Sequence, residues 1–275
     1  MKSTPQGSSL PPLGPPGEQD RGDRAESSPL LLEEREDRLV IRLNRPEVRN
    51  AIDLATVEAL HEACRSLETT PRVALLVGSG GTFAAGADIA ELRERRRDDA
   101  LAGINSGIFE RIHKLPMPVI ALIDGYALGG GAELAYACDF RIGTPSTKIG
   151  NPEPGLGILA AAGAAWRLKE LVGEPLAKEV LLAGRVLDSE EALAVRLLNE
   201  VVPADELDAA GHRLADRIAG QAPLAVRLTK SVFHAPRDAH PIIDDVAQAV
   251  LFETQDKLDR MTAFLERRQK AGQEK

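Results

Sequence analysis

The chain reads as an α/β fold with parallel strand pairing. Two observations predict it: short apolar, partly β-branched runs at residues 39–43, 73–77 and Val119–Ile123, and a helical pattern after each of them. A third is the glycine punctuation where strand gives way to helix, at residues 78–88 and 129–131.

Residues 1–29 are rich in Pro, Gly, Ser and charge, with Pro11, Pro12, Pro15 and Pro16 and no apolar periodicity, so a disordered tail is expected. Folded sequence begins at Leu30, Leu31 and Leu32. Residues 39–43 form a strand that ends at Asn44, Arg45 and Pro46. Asp53 N-caps a helix marked by Val57, Leu60, Cys64 and Leu67. The buried strand 73–77 leads into the glycine-rich loop 78–88, which has neither a Walker Gly-Lys-Ser/Thr ending nor dinucleotide spacing; a phosphate cradle of that kind is rejected. Leu101, Ile104, Ile108, Ile112 and Leu115 mark one amphipathic helix. After Pro116 and Pro118, Val119–Ile123 is a strand buried on both faces, and Asp124-Gly125 stops it. Beyond Ile142 helices are expected at 159–172, 175–183, 189–197, 204–219, 223–233, 242–255 and 258–268, with Asp188 to Glu191 as a capping start signal. No internal sequence repeat is visible. The last two helices share an apolar face of Val246, Val250, Leu251, Met261, Phe264 and Leu265, a face of the kind that packs on a neighbouring subunit.

The chemistry concentrates in two stretches. Gly129, Gly130 and Gly131 precede a run of good helix formers, residues 132–138, so the backbone turns tightly there and opens a helix whose first N–H groups lack partners. Glu133 lies in that first turn, where the helix dipole alone favours it. A second carboxylate, Glu153, follows twenty residues on in the Pro/Gly-rich run 150–157. Paired carboxylates beside free backbone donors suit acid/base work on a substrate whose oxygen becomes anionic.

At 275 residues, 43% of them hydrophobic, the chain has enough apolar sequence for a full core. A net charge of −8 with scattered basic residues argues against a nucleic-acid partner; the Arg93 to Arg97 cluster is a solvated helix face or a patch for an anionic ligand's phosphates. Cys64 and Cys138 fall in apolar helical patterns and read as reduced, buried thiols. His61, His113, His212, His234 and His240 lie on separate elements without ligand spacing, so no metal is expected. With no membrane-length apolar run and no signal-peptide core, a cytoplasmic protein is expected.

With these pieces placed, the chain resembles the crotonase superfamily, and most closely its enoyl-CoA hydratases. The carrying motifs are Asn44-Arg45-Pro46 with Asn50-Ala51, the run from Phe83 to Ile89, the run from Pro118 to Ala135, Cys138-Asp139, Pro152-Glu153 and the run from Met261 to Arg268. The resemblance implies a spiral of repeated ββα units over residues 30–203 and a C-terminal helical region, 204–275, that builds trimers, commonly paired into hexamers. It assigns the thioester oxygen to the backbone N–H groups of Ala87 and Gly130, and the coenzyme A adenine to the surroundings of Ala85, Asp88 and Ile89. Hydratases of the family carry a pair of glutamates that grip one water, matched here by Glu133 and Glu153.

The implied activity is reversible addition of water to a trans-2-enoyl-CoA, giving the 3-hydroxyacyl-CoA of fatty acid metabolism. Coenzyme A is part of the substrate, and no separate cofactor is implied. Charge pushed onto the thioester oxygen gains about 3–4 kcal/mol from each preorganised donor. Glu133 is assigned to activating the water and Glu153 to delivering a proton to the α-carbon. The rivals are a Δ3,Δ2-enoyl-CoA isomerase with one glutamate as proton shuttle and a non-catalytic acyl-CoA-binding paralogue. The chain departs from the family at Ala160 and Ala161, where a glycine N–H commonly meets the water, at Trp166, and at Ala90 and Arg260. Ala90 replaces a basic coenzyme contact, which either is missing or moves to Arg93 or Arg95. Arg267 matches a C-terminal basic position that reaches the coenzyme of a neighbouring subunit.

Overall fold

The computed structural model describes residues 28–273. Of the tail expected at residues 1–29, all but the last two residues lie outside that range. Three strands open the fold, with a helix before the last: β1 (Leu30–Glu34), β2 (Arg38–Leu43), α1 (Leu54–Thr69) and β3 (Val73–Gly78). Three short helices follow, α2 (Ile89–Glu94), α3 (Arg97–Ala102) and α4 (Ile104–His113), before β4 (Val119–Ile123), β5 (Tyr126–Leu128) and α5 (Gly130–Ala137). Then come β6 (Phe140–Gly143), β7 (Lys148–Gly150), α6 (Ala164–Val172), α7 (Glu174–Ala183), β8 (Val186–Asp188), α8 (Ser189–Ala194) and β9 (Glu200–Val201). Four helices close the chain: α9 (Leu207–Ala219), α10 (Pro223–Phe233), α11 (Ile242–Phe252) and α12 (Gln255–Gln273).

The strands form two sheets. The larger has the order β1-β2-β3-β4-β6-β9, with β1 antiparallel to β2 and every later pair parallel; the smaller is β5-β7-β8. Its β5 and β7 pair parallel, and β7 and β8 antiparallel. The chain repeatedly lays one strand in the large sheet, a short one in the small sheet, then a helix, as in β4-β5-α5 and β6-β7-α6. This is a spiral of ββα units, repeated in structure although no repeat is visible in sequence.

The continuous apolar strands are buried on both faces, as their patterning predicts. In β3, Ala74 and Leu76 join the main core, while Val73, Leu75 and Val77 join a second cluster under α9. In β4, Val119, Ala121 and Ile123 face the first and Ile120 and Leu122 the second. Gly211 lets α9 come close to the sheet, since a Cβ there would lie 2.7 Å from the Leu122 side chain.

Asp53 caps α1 by accepting from Thr56 N–H, and Asp188 forms a capping box with Glu191. Two of the departures from the expected boundaries lie at glycines. The single helix expected across Leu101 to Leu115 breaks at Gly103, whose left-handed φ of 64° ends α3 and starts α4. The helix expected from 159 begins only at Ala164, because Gly157 (φ 73°) and Gly163 (φ 140°) hold the preceding loop out of helical geometry. Both cysteines are buried and unpaired. Among the described residues no helix is long and apolar enough to cross a membrane.

Candidate active site

Three parallel segments end at one edge of the small sheet, and each delivers one part of the site. Residues 84–87 run beside β5: Ala84 bridges Ala127, Ala84 N–H donates to Tyr126 O at 3.0 Å, and Leu128 N–H donates to Ala84 O at 3.1 Å. On the other side β7 holds β5 in the register Leu128 to Gly150, and Gly129 N–H extends the ladder to Gly150 O at 2.9 Å. Residues just past these ends therefore meet although the sequence separates them widely. They are Ala87, the start of α5 with Gly130 and Glu133, and the 3-10 turn Glu153–Leu156.

Ala87 and Gly130 lie side by side, for a Cβ built on Gly130 would stand 3.3 Å from Ala87 N. Ile52 donates to Gly86 O at 2.8 Å and accepts from Asp88 N–H at 3.0 Å; in this parallel bridge the Ala87 N–H between them faces the other way. Gly130 is the first residue of α5, so its N–H has no intrahelical acceptor. Gly131 packs the helix start against the neighbouring segment: a Cβ there would fall 2.1 Å from Ala84 O.

Glu133 is 3% exposed. Its Oε1 accepts two backbone N–H groups, from Ala162 at 2.7 Å and Ala164 at 3.1 Å, so the carboxylate sits at the start of α6. Burial pushes its pKa up to about 7, against those hydrogen bonds and with the help of the Glu153 charge. The alanines that address the carboxylate are thus Ala162 and Ala164; Ala160 and Ala161, where the sequence places the departure from the family, contribute no such bond.

Glu153 is 7% exposed, and burial raises its pKa while its own backbone N–H and Asn151 oppose the rise. Asn151 Nδ2 donates to Glu153 Oε1 at 3.3 Å and to Gly129 O at 3.3 Å, whereas Glu153 Oε2 is buried with no partner among the described residues. Gly129 allows this approach. Its φ is 53°, and a Cβ on it would lie 3.2 Å from Glu153 Oε1. Asn151, fully buried, is the residue that the sequence reading passed over; its only signal was its place inside the Gly150 to Glu153 run.

The remaining expected site residues are described by their local contacts. Ala85 N–H donates to Arg49 O at 3.0 Å, Asp88 caps α2 by accepting from Ala90 N–H at 3.0 Å, and Ile89 is 59% exposed beside them. Arg95 is engaged with Asn105 Oδ1 at 2.9 Å and Glu91 at 3.5 Å, while Arg93 extends into solvent. Arg260 donates to Asp256 and to Gly220 O, and Arg267 to Ala263 O, within the C-terminal region.

Two buried carboxylates with raised affinity for protons, with one oxygen and two adjacent N–H groups that have no partner among the described residues, can move protons and hold an oxygen that turns anionic. The chain as a whole has known relatives. The chain is 38% identical over 248 residues to a crotonyl-CoA hydratase of Syntrophomonas wolfei, covering 87% of this chain and 95% of that protein. It is 34% identical over 252 residues to a short-chain-enoyl-CoA hydratase of Clostridium acetobutylicum, covering 88% and 97%. The crystal structure of an enoyl-CoA hydratase from Bacillus anthracis superposes with a TM-score of 0.82 at 32% identity, over 87% of this chain and 96% of that one. Residues 33–274 match the family described as enoyl-CoA hydratase/isomerase, and with the ββα spiral and the relatives in agreement, the chain belongs to that family, within the crotonase superfamily.

Proposed function

We propose that the protein is an enoyl-CoA hydratase that adds water reversibly to short trans-2-enoyl-CoA thioesters, giving 3-hydroxyacyl-CoA. The observation that carries this is the convergence of Glu133 and Glu153 with the Ala87 and Gly130 N–H groups at one sheet edge. Glu133 takes a proton from the water as its oxygen bonds to the β-carbon. The π electrons move onto the thioester oxygen, where the two N–H groups hold the enolate. Glu153 then gives its proton to the α-carbon, and the two carboxyl groups reset by exchange with solvent. Glu133's raised pKa suits a base working near neutral pH. The addition leaves the overall oxidation state unchanged, so the reading assigns no redox cofactor.

Coenzyme A is placed along Ala85, Asp88 and Ile89, whose exposed apolar side chain suits an adenine face. The short-chain preference is supported by the names of the relatives. A homotrimer or homohexamer is supported by the exposed apolar side chains of α11 and α12, and a cytoplasmic setting by the two buried free thiols.

One observation favours a second reading. Glu133 Oε1 is already held by two N–H groups while Glu153 Oε2 is free, which suits a Δ3,Δ2-enoyl-CoA isomerase with Glu153 as sole proton shuttle. The purified protein is mixed with crotonyl-CoA, and loss of the conjugated enoyl-thioester absorbance is followed in oxygen-18 water. Loss with label in the 3-hydroxyacyl product is the expected result. Turnover of a 3-enoyl-CoA without label, and no hydration of 2-enoyl-CoA, establishes the isomerase instead.

A further inference from the structure

The turn that holds Glu133 has a support of its own. Glu133 Oε1 accepts the N–H groups of Ala162 and Ala164, and between them Gly163 leads into α6 at a φ of 140°, which favours glycine. Gly163 O accepts from Arg167 N–H at 2.9 Å, closing the first turn of the helix. The Arg167 side chain runs back toward the same glycine, as long side chains on a helix do. A Cβ built on Gly163 would stand 3.2 Å from Arg167 Nε, 3.4 Å from its Cδ and 3.9 Å from Trp166 Cζ2. Arg167 therefore packs directly on the residue whose two neighbours hold the carboxylate.

Arg167 is a buried cation, 6% exposed, and its partner lies on another helix. Its guanidinium Nη2 pairs with Glu110 Oε2 on α4. The other oxygen of Glu110 meets Lys114 at 3.0 Å, one turn along the same helix. Both α4 and α6 pack against α5, which carries Glu133. The ion pair thus ties the two neighbours of that helix to each other.

We propose that Arg167 is a positioning residue for Glu133: anchored on Glu110, it holds the turn 162–164 where both N–H groups reach Glu133 Oε1. The backbone N–H groups of this turn work against the burial that raises Glu133's pKa, so releasing the turn raises it further. The charge of Glu153 pushes in the same direction as burial, and Tyr136 is the other titratable group on the helix of Glu133. Next to Glu110, His113 is driven down to about 4 by its burial and is neutral at working pH. The kinetic consequence rests on the hydratase reading; the placement of the turn does not.

The test compares Arg167→Met and Glu110→Ala with the wild-type full chain. One readout is the pH profile of kcat on crotonyl-CoA. The other is the carboxylic C=O band of Glu133 in infrared spectra, isolated at each pH as the difference from Glu133→Gln in the same background. Both variants are expected to lower kcat about tenfold at neutral pH with KM within about twofold. The acid limb of kcat and the infrared midpoint are expected to rise together by about one pH unit. The sign in Glu110→Ala is decisive: losing a distant negative charge alone moves the midpoint down, whereas freeing the turn moves it up. The double variant is expected to shift no further than Arg167→Met, because the pair acts as a unit. A midpoint in Glu110→Ala that stays or falls, a double variant that sums the single shifts, or unchanged kcat in both variants overturns the proposal. If Arg167→Met does not fold, Glu110→Ala, a change at a half-buried side chain, decides alone. If the wild type hydrates no 2-enoyl-CoA, the hydratase reading falls while the infrared midpoints still decide the positioning.

Discussion

Glu133 answers to two demands that oppose each other. The proposed chemistry needs its carboxylate in a dry site, and the fold is less stable when a charge is put there. Its pKa rises from an ordinary 4.5 to about 7 on folding, so the stability it contributes is complete below about pH 4.5 and is lost as pH climbs through 7. The loss amounts to about 3 kcal/mol, at 1.36 kcal/mol per pKa unit. Glu133→Gln keeps an oxygen for the Ala162 and Ala164 N–H groups without the charge. Its melting temperature is expected to exceed that of the wild type at pH 8, with the gap closing toward pH 4.5 in scanning calorimetry. Turnover of crotonyl-CoA by the same variant is expected to drop about a thousandfold. At this scale much of the site was legible. Both glutamates stand in glycine-rich settings that announce a turn; Asn151 shares the run with Glu153, but nothing local marks its amide as part of the site. Its importance comes from reaching Gly129 O and Glu153 Oε1 at once, which only the pairing of β5 with β7 creates.

Among the elements, the start of α5 bears the tightest constraint. Gly131 has no room for a methyl group, because Ala84 O would lie 2.1 Å from it and the obstacle is backbone. Gly131→Ala is expected to cost about 3 kcal/mol in urea unfolding, and to weaken turnover by parting the Ala87 and Gly130 N–H groups. Asp53→Ala, on α1, removes an N-cap and is expected to cost about 1 kcal/mol in the same assay while turnover stays unchanged. The contrast separates a glycine that shapes the site from a cap that lies outside the catalytic pair, although Asp53 also pairs with Arg45 at 3.0 Å. Legibility here follows length. Val119–Ile123 offers five consecutive apolar residues and its boundaries could be read directly, but β5, β7 and β8 have three residues each, too few for any period to show. They are specified by partners far along the chain. The same holds for the break at Gly103, where the apolar spacing continues smoothly across a glycine that turns left-handed.

For the molecule as a whole, the chain buries its sheets well and leaves its C-terminal helices uncovered. Val246, Val250, Met261, Phe264 and Leu265 are half or more exposed, and α11 has no buried residue. Covering these side chains with further copies of the chain is the physical basis for the proposed trimer. Light scattering is expected to give three or six times the 29.5 kDa chain mass, and Phe264→Glu to lower it toward that of the chain. The apolar helical pattern made this face readable in sequence.

The contact between Glu133 and the start of α6 has a magnetic consequence. The amide protons of Ala162 and Ala164 terminate on a single carboxylate oxygen, so their chemical shifts and exchange rates follow the charge on that oxygen. Two backbone resonances therefore serve as a built-in indicator dye for the proposed base. Their titration is expected to have its midpoint near pH 7 in the wild type and to vanish in Glu133→Gln. Binding of a thioester at the proposed site would register at the same two nuclei before any bond is made.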